Sequence, residues 1–315
     1  MKDNFLFKGL SNDRVSLICD SKNKDEKFIR KTAFDDNKSS RLEDQYNYIQ
    51  NWGHEYIKVP KILNCGSFKE KRFFYDMEYI NFPSFSHIVN HSSHENIAKS
   101  KKGSQLLLNY LKEGINDQIL PGKNHLIFLI NNKLKDLNKF FKKKHEKKLR
   151  SEIIKYIEYL MQITEQIIIK NNFKKVSTLS YKIHGDLTLS NMLMSENVLY
   201  FIDINSHFIG QNILSDISKI IFDLDFCLSI KLENNNMYPD LSVLNFLSNL
   251  KKNILNITFK KVNYYASIKD LLLIVESLRV LQYVCDNKNK VSNNLQLYII
   301  DKFDSLLKEN FLCQL

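Results

Sequence analysis

Residues 182–205 read KIHGDLTLSNMLMSENVLYFIDIN and set Asp186, Asn191 and Asp203 five and twelve positions apart, each next to an apolar run. A carboxylate, an amide and a second carboxylate in this order are the groups that phosphoryl transfer from ATP requires. One carboxylate orients an acceptor hydroxyl and takes its proton, while the amide and the other carboxylate are oxygen ligands for Mg²⁺ on the nucleotide phosphates. The apolar runs at 191–194 and 198–204 flank a turn at Glu196 and Asn197, which predicts a hairpin. Such a hairpin returns the Asp186–Asn191 loop to the strand end that carries Asp203. The tripeptide HGD alone is a weak signal. The full pattern, H-G-D-x4-N, hairpin, apolar-Ile-Asp, is a strong one, against the alternative that these are capping and turn residues of an ordinary hairpin.

The elements that must hold this hairpin fall into two groups. Within the first eighty residues, short β-type runs at 14–19, 27–31, 61–65 and 72–75 alternate with turns. A helix is predicted at 41–52, with Leu42, Tyr46 and Ile49 on one face. After Asn81 the character changes to long helices, predicted at 105–115, 126–141, 152–169, 215–228, 241–255, 267–286 and 294–312. The expected class is α+β, with a small β-rich part at 1–80 and a large helical part at 81–315 that encloses the hairpin.

Composition agrees with this and closes off other classes. Only 8 glycines and 4 prolines in 315 residues favour helix and exclude collagen-like or Pro/Gly-rich disordered chains. No apolar run approaches about 18 residues, so no transmembrane helix is predicted. The N-terminal MKDNFLFKGLSND lacks the features of a signal peptide, and five cysteines form no CxxC, so the expected compartment is a reducing cytoplasm. The net charge of +11 is concentrated at 131–150, where nine Lys/Arg face two Asp/Glu. Leu134, Leu137, Phe140 and Phe141 make this an amphipathic helix with a lysine-rich outer face. That face is either simply solvated or a contact for an anionic surface or glycan. No aromatic RNA-binding motif or zinc-finger spacing supports a nucleic-acid partner.

HGDLTLSN and YFID resemble the catalytic loop and metal-binding strand of the aminoglycoside phosphotransferase and choline kinase-like family, which has the bilobal protein-kinase-like fold. KGLSNDRVSLI at 8–18 is similar to the family's phosphate-covering turn, KFIRK to the strand bearing the phosphate-binding lysine, and FFYDMEYI at 73–80 to the last strand and hinge that receive adenine. The resemblance implies Asp186 as catalytic base, Asn191 and Asp203 as Mg²⁺ ligands, and Lys31 on the α- and β-phosphates. It also implies nucleotide contacts at Ser11, Asn12, Met77, Glu78 and Ile80, a bracing role for His184 and Asp216, and a nucleotide-binding lobe at 1–80. Residues 81–315 become the lobe with the catalytic loop and acceptor site. The lysine's usual glutamate partner has three candidates in RLEDQYNYIQNW. Family phasing picks Gln45, whereas chemistry picks Glu43, because a carboxylate gives a charge-assisted bond and a glutamine only a neutral one; Asp44 is the third candidate.

The same resemblance bears on the substrate. Thr188 stands where protein serine/threonine kinases have a lysine, and no Ala-Pro-Glu follows Asp203, which favours a small-molecule hydroxyl acceptor over a polypeptide. GDLTLSNML, YFIDINSHF and SDISKIIFD also resemble a subset of the family found with bacterial surface-polysaccharide genes. The predicted activity is thus ATP- and Mg²⁺-dependent phosphorylation of a sugar or amino alcohol. The rivals are a nucleotide-binding pseudokinase with a regulatory role and an atypical protein kinase. Among weaker features, His87, His91 and His94 at i, i+4, i+7 form either a zinc site or a polar loop. Glu276 and Arg279 form either a local ion pair or, through Arg279, an acceptor contact, and Asp223 and Asp225 are further candidates for the acceptor cavity.

Overall fold

A computed structural model describes residues 5–7, 14–19, 27–34, 39–68, 72–91, 94–117, 122–170, 183–205, 212–234, 238–285 and 290–308. In chain order its elements begin with β1 (Phe5–Phe7), β2 (Arg14–Cys19), β3 (Lys27–Thr32), α1 (Ser39–Gln50), β4 (Ile57–Lys58), β5 (Ile62–Ser67) and β6 (Phe73–Glu78). They continue with α2 (Phe85–Asn90), α3 (His94–Asp117), α4 (Lys123–Lys144), α5 (Ser151–Lys170), β7 (Met192–Met194) and β8 (Leu199–Phe201). The last are α6 (Ile213–Phe226), α7 (Leu228–Glu233), α8 (Leu241–Lys261), α9 (Tyr265–Val284) and α10 (Lys290–Lys308). The fold is α+β: an antiparallel five-stranded sheet in the order β1-β2-β3-β6-β5, followed by a mostly helical region.

Strand periodicity decides which way the charged residues of β3 face. Ile29 and Lys31 are buried on one face, and Arg30, between them, lies on the other. Register places Arg30 opposite Asp76 of β6, and the guanidinium grips that carboxylate with two bonds of 2.7 and 2.8 Å while stacking over Phe74. This pairing matches the planar fork of Arg and locks β3 to β6. Beneath the sheet, α1 buries Leu42, Gln45 and Ile49, three and four residues apart.

A second sheet, β4-β8-β7, carries the hairpin expected at 191–204. Its third strand is β4, which pairs parallel to β8 and ties the hairpin to the segment after α1. Sequence periodicity misses β1, β4, α2 and α7 because two to six residues are too few to show a period. It also ends β6 at residue 75 and starts α3 at 105, because the polar opening of α3 masks its pattern. In α3, Gly103 lets the Phe85 ring approach, since a Cβ there would lie 2.6 Å from the ring edge.

The core of the helical region is built on α6 and α9, most of whose residues are buried, polar ones such as Asp216, Asp223 and Glu276 included. Asn212 caps α6 by accepting from the Leu214 N–H at 3.1 Å. The helix ends at Cys227, in left-handed backbone with φ 55. α4 packs between α5 and α9; of the four apolar residues the sequence puts on one face, Leu134, Leu137 and Phe141 are buried and Phe140 is half-buried. Among the described residues no helix is long and apolar enough to cross a membrane.

Candidate active site

Four segments remote in sequence meet in a cleft of about 270 Å³, lined by Asp186, Asn191, Asp203, Lys219, Arg279 and Arg41 among others. The loop carrying Asp186 is braced from behind. Asp216, in the first turn of α6, accepts from the His184 N–H at 2.8 Å, the Gly185 N–H at 2.6 Å and the Tyr110 hydroxyl at 2.6 Å. Asp223, two turns along α6, accepts from the Leu189 N–H and the Ser229 hydroxyl, both at 2.7 Å, and from the Ser229 N–H at 2.8 Å. Loop amides that have no helix or sheet partner are thereby satisfied.

The His184 ring, fully buried, joins the two halves of the hairpin. Its Nε2 donates to the Ile202 carbonyl at 2.9 Å and its Nδ1 accepts from the Asp186 N–H at 3.2 Å, which selects the neutral Nε2-protonated tautomer. The Asn205 N–H donates to the His184 carbonyl at 2.7 Å. This approach needs Gly185, whose φ is +74 and where a Cβ would lie 1.9 Å from the Asn205 carbonyl oxygen. Asp203 also takes left-handed backbone, with φ 55, so the chain turns sharply where its carboxylate enters the cleft.

Lys31 Nζ donates to Asp203 Oδ1 at 2.6 Å, with the lysine 5% and the aspartate 48% exposed. Asn191 Nδ2 donates to the Asp186 carbonyl at 2.9 Å, which leaves its Oδ1 to face the cleft. Asp186 is 30% exposed and has Lys219 Nζ at 3.0 Å and Arg279 at 3.7 Å from the same oxygen. Burial works against its ionised form, but these two cations overcome it and hold the carboxyl down at about 2. Behind them Glu276, buried, takes an Arg279 bond at 2.7 Å and lies 3.8 Å from Lys219.

Several expected residues stand elsewhere. Glu43 is exposed on the outer face of α1, so the choice made from charge alone is corrected. The helix instead turns Gln45 inward, where it donates to the Ile204 carbonyl and accepts from the Tyr75 hydroxyl at 3.2 Å. Asp223 spends its acceptors on Leu189 of the loop and Ser229 of α7, and Asp225 faces Lys251, Tyr298 and Lys302, so neither is among the residues lining the cleft. The rings of His87 and His91 lie 4.0 Å apart, tilted by 30°, where α2 ends, but His94 opens α3, so the three histidines share no helix. Met77 is half-buried on β6 opposite Ile29. The Glu78 side chain accepts from the Lys61 N–H, while its own N–H is engaged by the Lys61 carbonyl. The Ile80 N–H donates to no backbone carbonyl among the described residues. Ser11 and Asn12 lie outside the described residues.

Lys219 was not anticipated as a site residue. Its signal is present in SDISKI, where it follows Asp216 by three and so shares that residue's helix face one turn on.

No family model matches the chain, and no curated protein matches it in sequence. Solved structures do resemble it in three dimensions. A thermostable mutant of aminoglycoside phosphotransferase APH(4)-Ia, without ligand, superposes with a TM-score of 0.58 at 10% identity over 96% of this chain and 94% of that one. A fructosamine-3-kinase from Haemophilus somnus 129PT, so described as a provisional assignment, gives 0.51 at 12% identity over 95% and 90%. A glucosamine kinase in complex with glucosamine, ADP and inorganic phosphate gives 0.50 at 9% identity over 97% and 96%. At such low identity the likeness speaks to architecture, and the chain has the bilobal protein-kinase-like fold that these phosphotransferases share.

Proposed function

We propose that this protein is an ATP- and Mg²⁺-dependent phosphotransferase that acts on a hydroxyl of a small molecule, with a sugar as the favoured class. The observation that carries the reading is the meeting of Lys31 and Asp203 at 2.6 Å across 172 positions of sequence, at the cleft that Asp186 and Asn191 also line. In this reading residues 1–80 form the nucleotide-binding lobe and 81–315 the lobe with the catalytic loop and acceptor site. The similar folds of a phosphotransferase for aminoglycosides and of kinases for fructosamine and glucosamine support it, as does the ADP bound to the last of these.

Adenine would lie against Met77 and bond to the backbone of the segment after β6, through the Glu78 carbonyl and the Ile80 N–H. Lys31 would hold the α- and β-phosphates, with the turn containing Ser11 and Asn12 above them. Asn191 Oδ1 and the Asp203 carboxylate are hard oxygen donors, and among the described residues no thiolate or imidazole lines the cleft beside them, a donor set that suits Mg²⁺. Bound there, the ion would neutralise phosphate charge and orient the transferred group.

The remaining work belongs to side chains. Asp186 orients the acceptor hydroxyl toward the γ-phosphorus. As the new O–P bond forms and the bond to the β-phosphate oxygen breaks, the hydroxyl proton passes to Asp186 and ADP leaves. A carboxyl held at about 2 is a weak base, so its larger contribution is alignment, which suits a loose transition state in which the proton moves late. Lys219, beside Asp186, would stabilise charge on the phosphoryl oxygens, a cation that the loop itself, with Thr188, does not supply.

The test is Mg²⁺-dependent ATP consumption across a panel of sugars, sugar acids and amino alcohols, with Asp186→Asn in parallel. Acceptor-dependent turnover that Asp186→Asn abolishes supports the reading. ATP binding with no turnover on any acceptor favours a pseudokinase, and transfer to polypeptide favours an atypical protein kinase.

A further inference from the structure

Ile183, His184, Gly185 and Asp186 belong to no helix or strand, so their backbone N–H groups depend on side chains. His184 and Gly185 donate to Asp216 of α6, and Asp186 donates to the His184 ring. Those acceptors come from the helical region and from the loop itself. The Ile183 N–H is met by a different part of the fold. It donates at 2.7 Å to the hydroxyl of Tyr48, on α1, and that hydroxyl donates back to the Ile183 carbonyl at 3.0 Å. Ile183 is fully buried, so one side chain of α1 serves both backbone groups of a residue that water does not reach. A phenol hydroxyl suits this double duty, because it gives one hydrogen and accepts another. Burial and the charge of Asp216 push its ionisation well up, so it keeps its hydrogen throughout the working range.

Gln45 lies three residues before Tyr48, on the same side of α1, and holds the other carboxylate-bearing segment. It donates to the carbonyl of Ile204, the neighbour of Asp203, and accepts from Tyr75, which pairs with Lys31 across β3 and β6. One side of α1 therefore grips the chain just before Asp186 and just after Asp203. Both grips end on backbone atoms of the hairpin, so they fix the path of the chain. A rotation of α1 that withdrew Tyr48 would leave a buried N–H and C=O unpaired, which couples the helix to the loop. Trp52, one turn beyond Tyr48, packs edge-on against the rings of Tyr48 and of Phe201 in β8, with centres 6.2 and 6.1 Å away. Its indole N–H points to the Ile57 carbonyl, so it presses on the hairpin by packing.

We propose that Tyr48 is a positioning residue for Asp186, and that with Gln45 it forms a clasp through which α1 sets the spacing between the Asp186 and Asp203 segments. This rests on the phosphotransferase reading for the role of Asp186, whereas the clasp itself stands on the bonds to Ile183 and Ile204. The clasp is made of neutral hydrogen bonds, so α1 is tied to the catalytic hairpin without a carboxylate on its inner face. Tyr48 touches none of the groups that would react, and its effect on them passes through the backbone of residues 183–186.

The test compares Tyr48→Phe with Trp52→Phe in the full chain, the second being a control that loosens the same helix end by packing. Amide hydrogen exchange at 183–186 should quicken about tenfold or more in Tyr48→Phe and stay as in the parent in Trp52→Phe. With an acceptor that the parent phosphorylates, Tyr48→Phe should lower kcat about five- to tenfold and leave the KM for ATP within about twofold. Trp52→Phe should lower the denaturant midpoint and leave kcat unchanged, a split that a merely structural role for Tyr48 would not give. If Tyr48→Phe fails to fold, Gln45→Ala carries the test from the other half of the clasp, with faster exchange at the Asn205 amide and the same fall in kcat. Parent-like exchange in Tyr48→Phe overturns the proposal, and so does faster exchange with kcat unchanged. An equal loss of kcat in Trp52→Phe overturns it too, since any loosening of α1 would then suffice. Faster exchange in Tyr48→Phe, in a chain whose parent transfers phosphate to no acceptor, leaves the clasp standing and removes the phosphotransferase reading instead.

Discussion

Lys219 Nζ lies 3.0 Å from Asp186 Oδ1, although Lys219 belongs to α6 and Asp186 to the loop before β7. The contact gives the cleft a cation beside its proposed catalytic carboxylate, which the loop, having Thr188, does not provide. It also sets the protonation of that carboxylate. With its pKa at about 2, Asp186 stays ionised throughout the ordinary working range.

Replacing Lys219 by Met should therefore change a pH profile as well as a rate. Removing an adjacent cation raises the pKa of Asp186, so the acid limb of kcat/KM should move to higher pH, and kcat should fall on the order of 10- to 10²-fold. In the parent the depressed pKa contributes stability that is fully present above about pH 4 and is lost as pH falls toward 2. Acid-unfolding curves of parent and variant should diverge above that window and converge below it. An unmoved acid limb would separate Lys219 from Asp186 in function.

Asp186→Ala and Asp203→Ala should differ in what they remove. The first should leave Mg·ATP binding near the parent value and lower kcat by about 10² or more. The second should weaken Mg·ATP binding itself, because it takes away a proposed metal ligand. Titration calorimetry on both variants checks this, and Mg·ATP bound equally well by Asp203→Ala contradicts the ligand assignment.

On α1 the prediction is a contrast between neighbours. Glu43→Gln, at an exposed position, should alter stability by no more than about 0.5 kcal/mol and leave the KM for ATP unchanged. Gln45→Ala removes the partner of both the Ile204 carbonyl and the Tyr75 hydroxyl and should cost about 1–3 kcal/mol. It should also couple to Lys31→Met in a double-mutant cycle, since Ile204 adjoins Asp203. Additivity there would assign Gln45 to packing alone.

Gly185→Ala should be among the most damaging single changes outside the proposed chemistry. Left-handed backbone costs a non-glycine residue about 1–2 kcal/mol, and overpacking against the Asn205 carbonyl adds about 1–3 more. A denaturant midpoint shifted by the equivalent of about 2–5 kcal/mol is the expected result, and a shift below about 1 kcal/mol would show that the hairpin yields there.

Much of this was readable from the chain alone. Asp186, Asn191 and Asp203 announce themselves by residue type and spacing, and the apolar runs between them fix the hairpin on which they ride. Strand alternation alone puts Lys31 and Arg30 on opposite faces of β3. The long helices follow from three- and four-residue periodicity, and their burial follows from how far round the helix the apolar residues extend. These are local properties, governed by the geometry of one element, so the sequence expresses them directly.

Tertiary packing decided what faces what. Glu43 and Gln45 are both plausible partners by position, and only the seating of α1 against the sheet turns Gln45 inward and leaves Glu43 in water. Lys219 and Arg279 read as ordinary charges on apolar helices until α6 and α9 bring them to one oxygen of Asp186, from 33 and 93 positions away. The periodicity of a helix fixes the face on which a charge lies. The partner across from it depends on the path of the whole chain, and the strength of their interaction depends on the water that path excludes. Local sequence carries neither quantity, and both determine the charge state of this cleft.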